Sequence, residues 1–465
     1  MRLRRIFWMA GLSLLLLLSV AALSPYATLV RTGPGIAAAY AAQMLCAGVF
    51  VSGRDVEPVL RDDILPANPV LRFAKTAVDR SSGLATASLF GVARRSALYR
   101  PGLGCTLVGA GGVPALLRQA DGIQPMSRRA RSQIWPTGDA VEPVASDAIA
   151  AALDQAFVQS AGVDTRAIVL VHRGRVVAER YAPGFSADSE MLGWSMSKSV
   201  TSALIGTLVD SGRLALDAPV PLPVWRQADD GRRDITLRQL LDMTSGLKFD
   251  ETYEPGDDAT QMLYREDDMA AYAARQPIAA VPGTRWSYSS GTANILSGVV
   301  REAAGGSLAA TYDYARTHLF EPAGMTSAIF EPDTAGTPVG SSYLYMTARD
   351  WARFGLIYLN KGVLGWQRLL SADWVAASQR PAVTADGKTL AYARQFWLNS
   401  DGDRADPLRL PHCPADLTMA EGHNGQLLVI VPSVHAVIVR LGWDNGGHWE
   451  SDRHLAALLA ALKDS

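Results

Sequence analysis

The chain is poor in cysteine: only Cys46, Cys105 and Cys413 occur in 465 residues. None forms a C-x-x-C pair, which removes zinc-knuckle and thioredoxin-like readings. Its seven histidines are His172, His318, His412, His423, His435, His448 and His454. They show no H-x-x-x-H or H-x-x-H spacing, so no metal site is expected. A charge excess is lacking too. The 44 basic and 45 acidic residues leave a formal charge of -1, and the basic residues are spread along the chain. No global field draws it to nucleic acid. Gly109-Ala110-Gly111-Gly112 lacks the G-x-G-x-x-G register and the strand–helix setting of a dinucleotide loop. Repeats, coiled-coil heptads and low-complexity tracts are absent, and no cofactor is implied.

What is present begins at the N-terminus. Met1-Arg2-Leu3-Arg4-Arg5 is a basic start, and Ile6 to Leu23 follows as 18 residues without a charge. This reads as an export signal or an N-terminal membrane anchor over residues 1–25. An A-x-A site just after the apolar run is missing, which favours an uncleaved anchor. The basic end would then stay in the cytoplasm and the body would cross, to be periplasmic or held at the inner membrane. Gln43-Met44-Leu45 before Cys46 is not the small-residue approach of a lipidation site. In an exported chain Cys46 and Cys105 are the expected disulfide, closing a loop of about 60 residues. Cys413 is left over, buried or lining a loop.

Residues 26–145 read as an N-terminal extension. Ala37 to Cys46 suits a helix; Leu84–Phe90 and Ser96–Tyr99 suit short strands, as does Cys105–Val108 after the Arg100-Pro101-Gly102 turn. Gly109 to Pro143 reads as a long connection. A main domain, 146–465, begins near Asp147. Ala167–Val171 and Val176–Tyr181 form one predicted hairpin, and Gln426–Val431 with Ala436–Leu441 another. Helical candidates lie between: Ser197–Val209, Leu237–Leu241, Asp268–Ala274, Ala293–Glu302, Leu308–Leu319 and Ala348–Asn360, with Leu455–Leu462 closing the chain. The fold class implied is α+β: an antiparallel sheet covered by helices, plus a mainly helical lobe, with a cleft between them.

Three stretches carry candidate chemistry. In Gly193-Trp194-Ser195-Met196-Ser197-Lys198, Lys198 follows Ser195 by one helical turn on the same face. A serine hydroxyl is a weak nucleophile until a base takes its proton, and a lysine serves only if its pKa is lowered. Alone, the pair equally fits a helix-start serine near a surface lysine. In Thr284-Arg285-Trp286-Ser287-Tyr288-Ser289-Ser290, Tyr288 precedes a helix, where it could also be a packed aromatic. In Glu421-Gly422-His423-Asn424-Gly425-Gln426, a glycine-containing turn feeds a strand; it could equally be a junction with a capping Asn. An α/β-hydrolase elbow, G-x-S-x-G, fails here because Ser197 stands where the last glycine belongs.

In this order the stretches resemble the penicillin-recognising serine hydrolases, which include class C β-lactamases, DD-peptidases, esterases and 6-aminohexanoate-dimer hydrolases. The superfamily pattern S-x-x-K, Y-x-N or a variant, then K-T-G or H-x-G matches Ser195-x-x-Lys198, Tyr288-x-Ser290 and His423-Asn424-Gly425. Val209–Val220 and Thr236–Leu247 also resemble it, and the likeness spans about residues 150 to 460. Ser290 stands where β-lactamases usually carry Asn, and His423 where they carry Lys. Both departures look like the esterase and aminohexanoate-dimer hydrolase branches. Tyr253 matches a tyrosine that contacts the amide substrate in the latter.

The resemblance implies a β-lactamase/transpeptidase-like fold acting on a small amide or ester through an acyl-enzyme. Ser195 would attack, with Lys198 and Tyr288 sharing proton transfer. Tyr288 would bond Lys198 and Ser290. Backbone N–H groups of Ser195 and Gln426 would hold the oxyanion, and His423, Asn424 and Gly425 would border the pocket. Its walls are expected from Phe249–Leu263, Ser341–Tyr345 and Asp401–Ala420. The alternatives are a DD-peptidase or β-lactamase, and a catalytically silent, penicillin-binding-protein-like relative.

Overall fold

The computed structural model describes residues 27–127, 132–142, 144–226, 229–403 and 407–462. The basic, apolar start expected as a signal or anchor lies outside these residues.

The centre is an antiparallel sheet. Seven of its eight strands are β5 (Val163–His172), β6 (Arg175–Tyr181), β7 (Tyr392–Ala393), β8 (Phe396–Leu398), β9 (Thr418–Gly422), β10 (Gln426–Val431) and β11 (Ala436–Gly442), in the order β7-β8-β9-β10-β11-β5-β6, and the short eighth, Gln159–Ser160, pairs with the start of β5. The two expected hairpins form: His172 pairs with Arg175, and Val431 with Ala436. Chain start and chain end of the body meet where β11 pairs with β5, Val439 opposite Val169.

Every residue of β10 and β11 is buried. Successive side chains leave a strand on opposite faces, and here both faces are covered, so the strands read as continuous apolar runs. Leu428, Ile430, Val437 and Val439 face one core together with Trp351 and Phe354 of α5 (Ala348–Leu359). Leu427, Val429 and Ile438 face a second core with Ile149 and Leu153 of α2 (Asp147–Ala156) and Leu455 and Leu458 of α6 (Ser451–Ala461).

The helical lobe is built round α3 (Ser197–Asp210), in which Ser197 to Leu208 are all buried. Beside it lies α4 (Ser290–Ala304). Leu237–Leu241 forms as expected, closed by a Thr236/Gln239 capping box.

The N-terminal segment is more ordered than its composition suggests. Helix α1 (Ala27–Phe50) packs on a four-stranded antiparallel sheet: β1 (Ala74–Asp79), β2 (Leu84–Leu89), β3 (Ala93–Arg100) and β4 (Gly104–Leu107). Strand β1 was not anticipated, because Lys75, Thr76 and Asp79 give it little apolar character. Within the expected connection 109–143, Gly112–Gln119 is helical. Cys46 and Cys105 are joined, with Cα atoms 6.1 Å apart, and Cys413 is free and buried.

Residues 31–50 of α1 are long and apolar enough to cross a membrane, yet two-thirds of that stretch is buried inside the protein. We read α1 as a core helix. Its side chains share one apolar core with the body. Polar ties reinforce the contact: Gln43 Nε2 donates to Glu331 at 2.8 Å, and the Cys105 N–H donates to the same carboxyl at 2.7 Å. Burial pushes the Glu331 pKa up to about 8. Asp63 takes ion pairs from Arg54 and Arg166, all three side chains being buried.

Candidate active site

Ser195 sits in a 3-10 turn, Trp194–Met196, that leads into α3. The turn packs against the ends of β9 and β10. Close approach is essential: a Cβ on Gly422 would lie 2.2 Å from the Gly193 carbonyl oxygen, and one on Gly193 2.2 Å from the Trp351 ring. Trp194 adopts φ +46°, a left-handed conformation that costs a non-glycine residue roughly 1–3 kcal/mol. Packing holds it there, because the Trp194 ring is 3% exposed among Tyr343, His423 and Trp443. Ser197 Oγ donates to the Trp194 carbonyl at 2.6 Å and accepts from the Leu344 N–H at 3.2 Å, pinning the start of α3 to the strand beneath.

One turn on, Lys198 is 1% exposed. Its ammonium donates three hydrogen bonds: to Ser195 Oγ at 2.8 Å, to Ser290 Oγ at 3.0 Å and to the Ser341 carbonyl at 3.1 Å. These use all its donors. Among the described residues no carboxylate pairs with it directly. Burial therefore lowers its pKa to about 8, a fall opposed by the charge of Glu251.

Ser290 is the first residue of α4, set by the Ser289 N-cap, whose hydroxyl accepts the Thr292 N–H at 3.0 Å. Ser290 donates through its N–H to Glu251 Oε2 at 2.8 Å and through Oγ to Glu251 Oε1. Its Oγ hydrogen is thus committed to Glu251, so toward Lys198 it only accepts. Tyr253, at φ +61°, brings its hydroxyl within 3.2 Å of both Glu251 Oε1 and Ser290 Oγ.

Tyr288 meets Lys198 differently from the expected O–H···N bond. Its ring face lies 4.8 Å from Nζ, and its hydroxyl interacts with Ser195. Stacking on Trp397 at 5.3 Å fixes the ring. Burial raises the phenol pKa well above its ordinary value, only partly opposed by the Ser195 hydrogen bond. Tyr288 is a neutral donor at rest.

His423 is exposed at the rim, stacked on Tyr253 at 5.7 Å and edge-on to Trp194 at 5.5 Å. Surrounding protein partly desolvates the imidazole and lowers its pKa. Neighbouring side chains are structural rather than pocket-facing. Asn424 Nδ2 donates to the Asp444 carbonyl at 2.6 Å, and Gln426 Nε2 donates back across the turn to the His423 and Asn424 carbonyls at 3.2 Å while its Oε1 accepts the Gly442 N–H of β11 at 3.1 Å. Gly425 lies at φ +80° where a Cβ would strike the Arg440 guanidinium 2.0 Å away. That guanidinium, buried and paired with Asp444 at 2.7 and 2.8 Å, ties the turn to β11. These bonds fix the His423–Gln426 turn between β9 and β10, whose ends meet the serine turn.

Ser195, Lys198, Tyr288, Ser290, Tyr253 and His423 thus come together at the mouth between sheet and helical lobe. Glu251 does not stand out in the sequence. Its only signal was the position two residues before Tyr253. Among the described residues no group of three or more His, Cys, Asp or Glu side chains could hold a metal.

A family model described as Beta-lactamase matches residues 150–463. The chain belongs to this family. Among curated relatives, the 6-aminohexanoate-dimer hydrolase of Paenarthrobacter ureafaciens is 28% identical over 334 residues, covering 66% of this chain and 81% of that protein. The fold is shared with solved structures of lower identity. EstCE1, described as a hydrolase with promiscuous acyltransferase activity, is 16% identical with a TM-score of 0.53, over 68% of this chain and 97% of its own. The D-amino acid amidase of Ochrobactrum anthropi SV3 is 17% identical with a TM-score of 0.51, over 68% and 98%. The family match places the chain in the β-lactamase/serine-hydrolase superfamily, and the solved structures share its fold.

Proposed function

We propose that the protein hydrolyses a small amide or ester through an acyl-enzyme on Ser195. The observation that carries this reading is the 2.8 Å contact between Ser195 Oγ and a buried Lys198 with a pKa lowered to about 8. When Lys198 loses a proton, its two remaining hydrogens stay on Ser290 Oγ and the Ser341 carbonyl, which are both acceptors toward it. The lone pair is left for the Ser195 hydroxyl. Lys198 then takes that proton as Ser195 Oγ attacks the carbonyl carbon, giving a tetrahedral oxyanion. The backbone N–H groups of Ser195 and Gln426 stabilise it, a donor of this kind contributing roughly 3–4 kcal/mol. Tyr288, still a neutral phenol, passes its proton to the departing amine or alkoxide, and the Lys198 ammonium returns to the Tyr288 oxygen the proton it took from Ser195, whose Oγ is now bonded to the acyl carbon and carries no hydrogen. Water then attacks the acyl carbon by the same relay and frees the acid.

Tyr253 and His423 line the mouth as the substrate-facing wall. The likeness to a 6-aminohexanoate-dimer hydrolase supports a linear amide as the first substrate to try, and the likeness to esterases supports short esters beside it. The apolar run Ile6–Leu23 supports export, with a catalytic body outside the cytoplasm, residues 26–145 as an extension and 146–465 as the hydrolase domain.

The test is intact-mass spectrometry after fluorophosphonate treatment, followed by turnover of short esters and linear aminohexanoate amides. One adduct on Ser195, absent from Ser195→Ala, is expected. Turnover in Ser195→Ala within about twofold of wild type would refute the nucleophile. A folded protein with neither adduct nor turnover would favour the silent binding relative.

A further inference from the structure

Exposed apolar side chains gather at one end of the β1–β4 sheet. Phe73 is 49% exposed, Phe90 58% and Val92 81%. The register explains why they cluster. Ala74 pairs with Leu89, and Leu89 with Ala93, as the last rung of three strands. Phe73, Phe90 and Val92 lie just beyond that rung. The two phenyl rings are 5.6 Å apart, so they shield each other only in part.

Helix α1 points the same way. The Arg95 guanidinium lies beside Gly35, while Tyr99 stacks on Phe50 at 5.3 Å, so α1 runs along β3 with its N-terminus toward the exposed cluster. From Gly35 back to Ala27 is about 12 Å of helix. From Arg95 back to Val92 is about 10 Å of strand. Both reach one level, and the uncharged run Ile6–Leu23 ends only four residues before Ala27.

The charge at this end is one-sided. The segments that make this end, 70–75 and 88–95, carry Arg72, Lys75, Arg94 and Arg95 and no acidic residue, in a chain whose overall charge is -1. Arg72 lies over the Phe73 ring at 4.7 Å. Lys75 and Arg94 both pair with Ser88, forming one row across the sheet's outer face.

We propose that this end of the small sheet is a membrane-contact surface that seats Phe73, Phe90 and Val92 in the headgroup layer of an anionic phospholipid bilayer. Arg72, Lys75 and Arg94 meet the phosphates there. Aromatic rings favour that layer, and basic side chains near it are attracted by anionic lipid. The surface gives the tethered body a fixed orientation, independent of whether the serine centre is active.

The experiment uses the full chain reconstituted in phosphatidylcholine vesicles with and without phosphatidylglycerol. An environment-sensitive fluorophore is placed on Val92→Cys, and for reference on Trp366→Cys, since Trp366 is fully exposed elsewhere. The unsubstituted chain, whose lone thiol is buried, is the labelling blank. At position 92 the expected result is a blue-shifted emission, quenched by shallow nitroxide lipids, several-fold more in phosphatidylglycerol vesicles. Adding Arg72→Glu and Arg94→Glu should reverse that gain. Emission at 92 matching that at 366 overturns the proposal, as does quenching that ignores phosphatidylglycerol. A blue shift that grows with protein density but not with nitroxide lipid would assign the patch to a second copy instead.

Discussion

Replacing Glu251 with Gln removes one negative charge from beside Lys198 while keeping the side chain's shape. Nζ is 3.0 Å from Ser290 Oγ, and that oxygen donates onward to Glu251. The charges are thus separated by a single hydroxyl, about 5 Å. At an effective dielectric of 20 this separation gives about 3 kcal/mol, an upper bound of roughly 2 pKa units; with partial screening about 1 unit is expected. Glu251 holds the Lys198 pKa up, so its loss moves that pKa down from about 8. The working form of Lys198 is the neutral amine, present above its pKa. In wild type kcat/KM should therefore rise with pH through about 8. In Glu251→Gln the rising limb should move about 1–2 units toward acid. The plateau should fall as well, because an amide nitrogen in place of one carboxylate oxygen removes an acceptor from the Ser290 N–H or from the Ser290 and Tyr253 hydroxyls. The assay is the pH profile of kcat/KM on a chromogenic ester. A limb that stays put or moves to higher pH would refute the assignment of Lys198 as the base.

Lys198→Ala and Tyr288→Phe should each lower acylation by about 10²–10⁴-fold in single-turnover experiments; wild-type rates in either would remove that residue from proton transfer. Because the folded Lys198 pKa is about 8 against an ordinary value of 10.5, the unfolded chain binds more protons between these limits. Denaturant titrations should accordingly show wild type gaining stability relative to Lys198→Met as pH rises from about 8 to 10.5. Asp63→Ala leaves the Arg54 and Arg166 guanidinium groups buried without their shared partner and should cost about 3–5 kcal/mol, measured by urea unfolding. Separating Cys46 from Cys105, 59 residues apart, should cost about 4 kcal/mol on the chain-entropy model, measured by comparing Cys105→Ser with wild type.

Much of the body was legible because its patterns are local. The Ser195/Lys198 spacing, the Tyr288 loop before α4 and the apolar strands β10 and β11 are short-range signals, and the ordered set of motifs pointed to the family that the chain's match over 150–463 bears out. Strand β1 was not legible. Its burial alternates, but with Lys75, Ala77 and Asp79 outward and small residues inward it carries almost no hydrophobic contrast. The role of Asn424 was equally hidden, since its amide serves Asp444, twenty residues on.

Sequence alone determined which chemical groups the chain has and which can meet within a helical turn: a serine, a lysine one turn later, and no metal-ligand spacing. Tertiary structure decided what those groups become. Lysine at position 198 turns into a candidate base only because the lobe buries it, and its proton inventory is set by Ser290 and the Ser341 carbonyl, 92 and 143 residues away. Glu251 enters for the same reason, through contacts with Ser290 across 39 residues. Desolvation and long-range charge depend on what surrounds a group in space, and periodicity along the chain does not carry that information.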